Sequence, residues 1–214
     1  MNVLNVSNPL YIFVSLAVLL GVLAIIISIH EASHAWAANK LGDPTAKYQG
    51  RITLNPIAHI DLIGTILIPL VLIIVSLQTG RLFLFGWAKP TPFNPWNLKH
   101  PRRDSALISF AGPASNFIVA AILGLIFRIS NFELILPILS LNLILGIFNL
   151  IPVPPLDGFK VVGGILPKEL AYQWLQLERA GPILLLFLLF FILPAIQGPI
   201  TSILKLLTLI FAGV

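Results

Sequence analysis

Long apolar runs alternate with short polar segments along this chain, the pattern of a protein that crosses a membrane several times. Residues 10–29 are apolar over a length that can span a bilayer, and the helix can continue through residues 30–40 until a Gly-Asp-Pro segment ends it. Further spans are predicted at residues 106–127 and 134–150, the second ending in a proline-rich segment. The pattern therefore predicts an all-α polytopic membrane protein, a transmembrane helix bundle with short re-entrant and β elements.

Three other segments are less regular. Apolar and polar residues alternate over residues 47–55, which predicts a short β-strand. Residues 60–77 are apolar but carry Pro69 at their centre, so a straight spanning helix is not expected there. The apolar tail from residue 182 to 214 is broken by prolines and glycine, and forms either one kinked span or two short ones.

Composition agrees with an integral membrane protein. Hydrophobic residues make up 57% of the chain and charged residues 10%, with a mean hydropathy of +0.98, whereas soluble domains carry about 25% charged residues. No linker divides residues 1–214, so we expect a single domain with a core at 10–166 and one or two C-terminal spans at 182–214. The net charge of +5 comes from basic residues dispersed among loops, which indicates membrane topology and no nucleic acid partner.

One motif places metal-binding chemistry in the first apolar run. His30, Glu31 and His34 form H-E-x-x-H, and on a helix the two histidines project from one face about one turn apart. Both imidazoles can then reach one zinc ion with Glu31 beside it. Catalytic zinc sites use three protein ligands, and a chain without cysteine must supply nitrogen or oxygen.

Asp157 is the candidate third ligand. It follows three prolines at the end of an apolar span, immediately before the sequence GFKVVGGIL. An aspartate there is also a good helix N-cap. A carboxylate in an apolar setting is costly unless it meets a cation, so we favour the ligand role.

These residues resemble those of the site-2 protease family of intramembrane zinc metalloproteases. The resemblance rests on H-E-x-x-H, on the frame N-x-x-P-x-P-x-L-D-G from Asn149 to Gly158, and on AGPASN, which ends at Asn116. It implies one Zn²⁺ per chain bound by His30, His34 and Asp157, with Glu31 as general base. Asn149 would stabilise the oxyanion or hold the substrate, or else form a hydrogen bond between helices. No segment resembles the PDZ or CBS modules of other members, which implies a minimal form.

The resemblance implies an intramembrane zinc endopeptidase whose partners are the lipid bilayer and transmembrane protein substrates. If His34 and Asp157 meet at one metal, residues 60–93 must enter and leave on one membrane face as a re-entrant hairpin, because only one span lies between the two ligand-bearing spans. The basic residues then place the active site toward the cytoplasm, and we expect a bacterial cell membrane. The alternatives are a membrane metal-ion transporter and a non-catalytic scaffold on the same fold.

Overall fold

The computed structural model describes residues 9–79 and 86–214, and these ranges form helices and connecting segments without β-strands. The helices are α1 (Pro9–Lys40), α2 (Thr45–Tyr48), α3 (Ile68–Thr79), α4 (Pro101–Ser130), α5 (Ile135–Asn149), α6 (Asp157–Ile165), α7 (Lys168–Gln176), α8 (Gly181–Phe187) and α9 (Leu193–Ala212). Short 3-10 helices occur at Pro56–His59, Pro95–Asn97 and Leu177–Ala180. Two π-helical turns, Leu62–Leu67 and Leu188–Ile192, lead directly into α3 and α9.

Three helical stretches in the described part of the chain are long and apolar enough to cross a membrane: Val14–Lys40, Pro101–Ser130 and Lys168–Ala212. The all-α membrane bundle predicted from the sequence is thus confirmed. The tail is helical without a break from α8 to α9 and lies within the third of these stretches. Helix α5 and the stretch Leu62–Ser76 are apolar but shorter.

Helix α4 is the centre of the bundle and packs against α1, α5, α6 and α9. Near its N-terminus, Ile108 packs with alanines of α1 and with Leu98 in one buried cluster. Near its C-terminus, Ala120 and Phe127 pack with leucines of α5 and with α9. A Cβ at Gly124 would lie 2.5 Å from the carbonyl oxygen of Phe211, so the missing side chain allows α4 and α9 to approach closely.

The β-strand predicted at residues 47–55 is wrong. Helix α2 occupies the first part of this segment, and Gly50 has a left-handed backbone (φ 68°). The predicted apolar face is on the outside, since Tyr48 is 83% and Leu54 65% exposed, while Arg51 is buried. Arg51 is buried, contrary to the prediction, because its guanidinium donates hydrogen bonds to the backbone carbonyls of Lys89 and Pro90.

The start and the end of residues 60–93, the segment predicted as a re-entrant hairpin, lie side by side. Asp61 accepts hydrogen bonds from the first amides of the helix that continues into α3, and the π-helical turn accommodates Pro69. On the return, the N–H of Trp87 donates to the carbonyl of Gly64 (3.1 Å), and that of Lys89 donates to His59 (2.9 Å). This pairing is what a re-entrant hairpin requires. Residues 80–85, which belong to the segment predicted as a hairpin, lie outside the described residues.

Candidate metal centre

Three donor atoms from distant parts of the sequence converge in the bundle. His30 Nε2 and His34 Nε2 lie 3.1 Å apart, because they are one turn apart on α1. Asp157 Oδ2 lies 3.1 Å from the first and 3.3 Å from the second. Both histidines are buried, and Asp157 is nearly so. The structure brings together the three residues that the sequence predicted as metal ligands.

The other nitrogen of each imidazole is occupied by a neighbour on α4. His30 Nδ1 lies 2.7 Å from Asn116 Oδ1, and His34 Nδ1 lies 2.7 Å from the carbonyl oxygen of Ile108. Both partners are acceptors, so each imidazole carries its proton on Nδ1 and turns the Nε2 lone pair toward Asp157. Two lone pairs and a carboxylate oxygen that lie 3.1 to 3.3 Å apart form a donor set that can hold a cation.

This donor set fits zinc. A tetrahedral zinc with nitrogen and oxygen ligands at about 2.0–2.2 Å has its ligand atoms about 3.3–3.5 Å apart, close to the separations of 3.1 to 3.3 Å here. Three protein ligands leave a fourth position open, the arrangement of catalytic zinc sites. His30, His34 and Asp157 would hold the ion.

Gly112 makes the room that the imidazoles need. A Cβ at this position of α4 would lie 2.4 Å from His34 Nε2 and 2.7 Å from His30 Cε1. Any other side chain would therefore displace the donor atoms of the metal centre. Within the AGPASN segment, Gly112 and Asn116 are one turn apart, and Asn116 bonds His30 while Gly112 lies against both histidines.

Asp157 reaches the histidines from the start of α6. The helix begins at Asp157 itself, and the preceding Leu156 is in the N-cap position. The carboxylate is directed at the imidazoles and does not occupy the N-cap position, an arrangement that suits the ligand role favoured from the sequence. Gly158 is also required, because a Cβ there would lie 2.1 Å from the carbonyl oxygen of Leu150 at the end of α5.

Glu31 contacts a residue that sequence reasoning missed. The N–H of Thr91 donates to Glu31 Oε2 (3.0 Å), and the Thr91 hydroxyl donates to the same oxygen (2.8 Å). Thr91 lies in residues 86–94, which we call the arm; the arm has no helix and returns from the hairpin. No sequence motif marks Thr91, since its partner is 60 residues away along the chain.

The arm is tied to the segment that follows α1. The buried Arg51 donates to the carbonyls of Lys89 (3.1 Å), Pro90 (2.9 Å) and Ala58. At the far end of the arm, the N–H of Asn94 donates to Asp43 Oδ2 (2.6 Å). Asp43 and Arg51 thus hold the arm by hydrogen bonds to its backbone.

Asp43 is a buried hydrogen-bond acceptor at this junction. Its carboxylate accepts from the backbone N–H groups of Thr45 and Asn94, the Thr45 hydroxyl and the Asn97 side chain. Burial alone would raise the pKa of Asp43, but these hydrogen bonds favour the ionised form and hold its pKa below the ordinary value. A charged Asp43 therefore belongs to the folded structure.

A cavity of about 150 Å³ opens beside the three donor atoms. Glu31, Asn149 and Lys160 line it together with Thr91 and Phe93 of the arm. The Asn149 side chain donates to the carbonyl of Leu145 in its own helix (3.0 Å), so it faces the cavity without bridging two helices. Glu31 and Asn149, the two predicted catalytic residues, thus border the same space as the metal ligands.

Other polar residues near these helices have structural roles. Asn142 accepts a hydrogen bond from the Asn116 amide (3.3 Å), which links α4 and α5. His59 and Asp61 form their hydrogen bonds away from the two histidines of the metal centre. His59 Nε2 pairs with the carbonyl oxygen of Thr53, and Asp61 caps the helix of the hairpin.

Comparison with known proteins identifies relatives along most of the chain. The protein named "Putative zinc metalloprotease YwhC" of Bacillus subtilis is 38% identical over 212 residues, covering 89% of this chain and 91% of that protein. "Putative zinc metalloprotease Rip2" of Mycobacterium tuberculosis is 29% identical over 180 residues, covering 80% of this chain and 65% of that protein. "Zinc metalloprotease MJ0392" of Methanocaldococcus jannaschii is 27% identical over 161 residues, covering 73% of this chain and 36% of that protein. No model of a protein family and no solved structure matches the chain.

Proposed function

We propose that this chain, which belongs to the family of zinc metalloproteases represented by YwhC, is an intramembrane protease of the site-2 type. It binds one Zn²⁺ through His30, His34 and Asp157 and hydrolyses peptide bonds within or near transmembrane segments of other membrane proteins. The observation that carries the proposal is the convergence of three metal donors, with Glu31 and Asn149, on one cavity between apolar helices.

The depth of the donors supports cleavage inside the bilayer. His34 comes six residues before the end of α1 at Lys40, and its partner Ile108 comes seven residues after the start of α4 at Pro101. At 1.5 Å per residue, the donors lie about 9–11 Å from these helix ends. A peptide embedded in the membrane extends through this depth, whereas a soluble substrate would have to enter the space between apolar helices.

The residues divide the chemistry between them. When bound, zinc would act as a Lewis acid that polarises the scissile carbonyl and lowers the pKa of water, so that the water can lose a proton near neutral pH. Glu31 accepts the proton of the attacking water and delivers it to the leaving nitrogen. Asn149, at the cavity wall, donates a hydrogen bond to the oxyanion or to the backbone of an extended substrate.

The distribution of basic residues supports an active site toward the cytoplasm. The helix ends near the metal centre carry seven cationic side chains: Lys40, Lys47, Arg51, Lys89, Lys99, Arg102 and Arg103. Arg128 lies at the opposite end of α4. Under the positive-inside rule, this places the metal end at the cytoplasmic face and the start of α1 outside. The expected setting is a bacterial cell membrane.

Glu31→Gln tests the proposal in liposomes that contain a helical transmembrane substrate. We expect hydrolysis to fall by about 10²–10⁴-fold or more, because the general base is lost, while bound zinc stays near one per chain. The exposed Glu133, at the far end of the bundle, gives the matched control Glu133→Gln with unchanged activity.

Two outcomes would favour the alternatives. Zinc flux across the liposome without cleavage would indicate a transporter, which needs polar groups along a whole path through the membrane. Zinc binding without either cleavage or flux would indicate a scaffold. Loss of zinc in Glu31→Gln would contradict the separation of base from ligands.

A further inference from the structure

We propose that Thr91 is a positioning residue for the carboxylate of Glu31 and that the arm carrying it is a fixed wall of the active site. The inference deepens the proposed function and rests on it. It also gives a role to the excursion between residues 61 and 93, which none of the ligand motifs explains.

Thr91 holds one oxygen of the carboxylate with two donors. Its N–H and its hydroxyl both bond Glu31 Oε2, and the hydroxyl oxygen also lies 3.1 Å from the Glu31 carbonyl oxygen. Both hydrogen bonds go to a charged acceptor, the stronger class of hydrogen bond in proteins. Neither of these two hydrogen bonds involves the other carboxylate oxygen, Glu31 Oε1. This oxygen is the one that exchanges a proton with water or with the leaving group.

A fixed carboxylate matters because Glu31 is adjacent in sequence to the ligand His30. A flexible glutamate there has several rotamers, including ones that would turn it toward the cation as an additional ligand. The donor group that converges consists of His30, His34 and Asp157, without Glu31. Hydrogen bonds from Thr91 keep Glu31 in the role of base, and a misplacement of about 1 Å can lower a rate about 10²-fold.

The arm is held on both sides of Thr91, so it can position another group. Before Thr91, Arg51 bonds the carbonyls of Lys89 and Pro90, and the N–H of Lys89 bonds His59. After it, the N–H of Asn94 bonds Asp43.

Local sequence and a contact across the cavity add stiffness. Thr91 stands between Pro90 and Pro92, whose rings restrict the backbone at and before each proline. Phe93 lies under Lys160 of α6, with Nζ 5.2 Å from the ring centroid. The arm thus connects α1, which carries two metal ligands, with α6, which carries the third.

Thr91→Val and Thr91→Ser separate the hydroxyl contact from the rest of the side chain. Valine keeps the shape and removes one of the two hydrogen bonds, so we expect kcat to fall about tenfold or more with KM within about twofold. Serine keeps the hydroxyl and is expected to stay within about threefold of the parent. Zinc content should be unchanged in both. Thr201→Val, in the exposed face of α9, is the control for the substitution itself.

Three kinetic results would overturn the proposal. The first is an equal kcat for valine, serine and parent enzymes. The second is an effect on KM alone, which would indicate substrate binding. The third is a rise in kcat for Thr91→Val, which would show that the hydrogen bond from Thr91 to Glu31 inhibits the reaction.

Hydrogen exchange tests the contact independently of any protease activity. Because Pro90 and Pro92 have no N–H, Thr91 is the only exchangeable backbone amide between Lys89 and Phe93. We expect this amide to exchange slowly in the parent and in Glu31→Gln, whose amide oxygen still accepts, and at least tenfold faster in Glu31→Ala. Equal exchange in all three would refute the Thr91 contact even if the protein is a protease. Fast exchange only in Glu31→Ala would support it even if no substrate is cleaved.

Discussion

Asp157 reaches the metal centre from a different helix than the two histidines it contacts. Asp157→Asn replaces the anionic oxygen with a neutral amide. We expect zinc affinity to fall by more than the roughly 10–100-fold that loss of a supporting residue costs, and cleavage to fall with it. Metal content by mass spectrometry and peptide hydrolysis measure the two effects.

The matched control is Asp61→Asn, since Asp61 caps the hairpin helix and an asparagine preserves a cap. Its zinc content should equal that of the parent protein. If Asp157→Asn kept full zinc and activity, Asp157 would not be a ligand.

Asn116 fixes the orientation of His30 and should tune the metal without touching it. Asn116→Ala removes the acceptor of the Nδ1 proton, so zinc should bind about 10–100-fold more weakly. Asn116→Asp keeps an acceptor oxygen and should bind zinc more tightly than the alanine variant. A competition titration with a chelator of known zinc affinity ranks the three proteins. Equal affinity in all three would show that His30 needs no such partner.

Residue chemistry explains which parts of the site could be predicted. H-E-x-x-H fixes its own geometry on a helix, so His30 and His34 could be assigned from spacing alone. Asp157 followed from the missing ligand and from the N-x-x-P-x-P-x-L-D-G frame. Thr91 could not be found this way, because a threonine between two prolines carries no signal until the arm folds back on α1.

At the scale of elements, Arg51 joins the loop after α1 to the arm. Arg51→Met keeps the apolar stem of the side chain and removes its hydrogen bonds to the carbonyls of Ala58, Lys89 and Pro90, each of which contributes about 0.5–1.5 kcal/mol. We expect hydrogen exchange over residues 86–94 to accelerate and the rate of cleavage to fall, with zinc content retained.

Arg103→Met is the matched control, because that arginine is exposed near the start of α4. It should leave the exchange of the arm unchanged. An arm that stays protected in Arg51→Met would show that the backbone hydrogen bonds of Trp87 and Lys89 suffice.

The same arginine explains why the predicted strand at residues 47–55 failed. Alternation predicts a strand when one set of side chains is buried, and the periodic signal cannot tell which set that is. Here a charged residue of the polar set is buried by pairing with carbonyls, and Gly50 turns the chain. The long helices were predicted well because their apolar length alone demands a membrane span, with no need to know their partners.

At the scale of the whole molecule, the metal centre lies near the N-terminal end of α4, and the C-terminal end of α4 lies at the opposite end of the bundle. Arg128 there donates to the carbonyls of Phe211 (2.8 Å) and Ile210 (2.6 Å) at the end of α9. The hairpin returns to Gly64, so it adds no net crossing between α1 and α4. Both termini of the described bundle therefore belong to the face opposite the metal end.

Cysteine labelling in intact cells tests this topology, since the chain has no cysteine of its own. Lys47→Cys and Lys99→Cys should share one accessibility to a membrane-impermeant maleimide, and Glu133→Cys should have the opposite. All three positions are exposed, so reaction reports the side of the membrane and not burial. Labelling of positions 47 and 99 from opposite faces would contradict the hairpin.

The close packing of Trp87 on Gly64 also equips this protein with an optical reporter. A Cβ at Gly64 would lie 2.3 Å from the indole nitrogen, so the ring covers the glycine directly. With the other three tryptophans replaced by phenylalanine, the remaining emission would come from the junction where the hairpin closes. Its wavelength and its quenching by lipids brominated at defined depths would then report how deep this junction lies in a bilayer and whether it stays closed, without an attached dye.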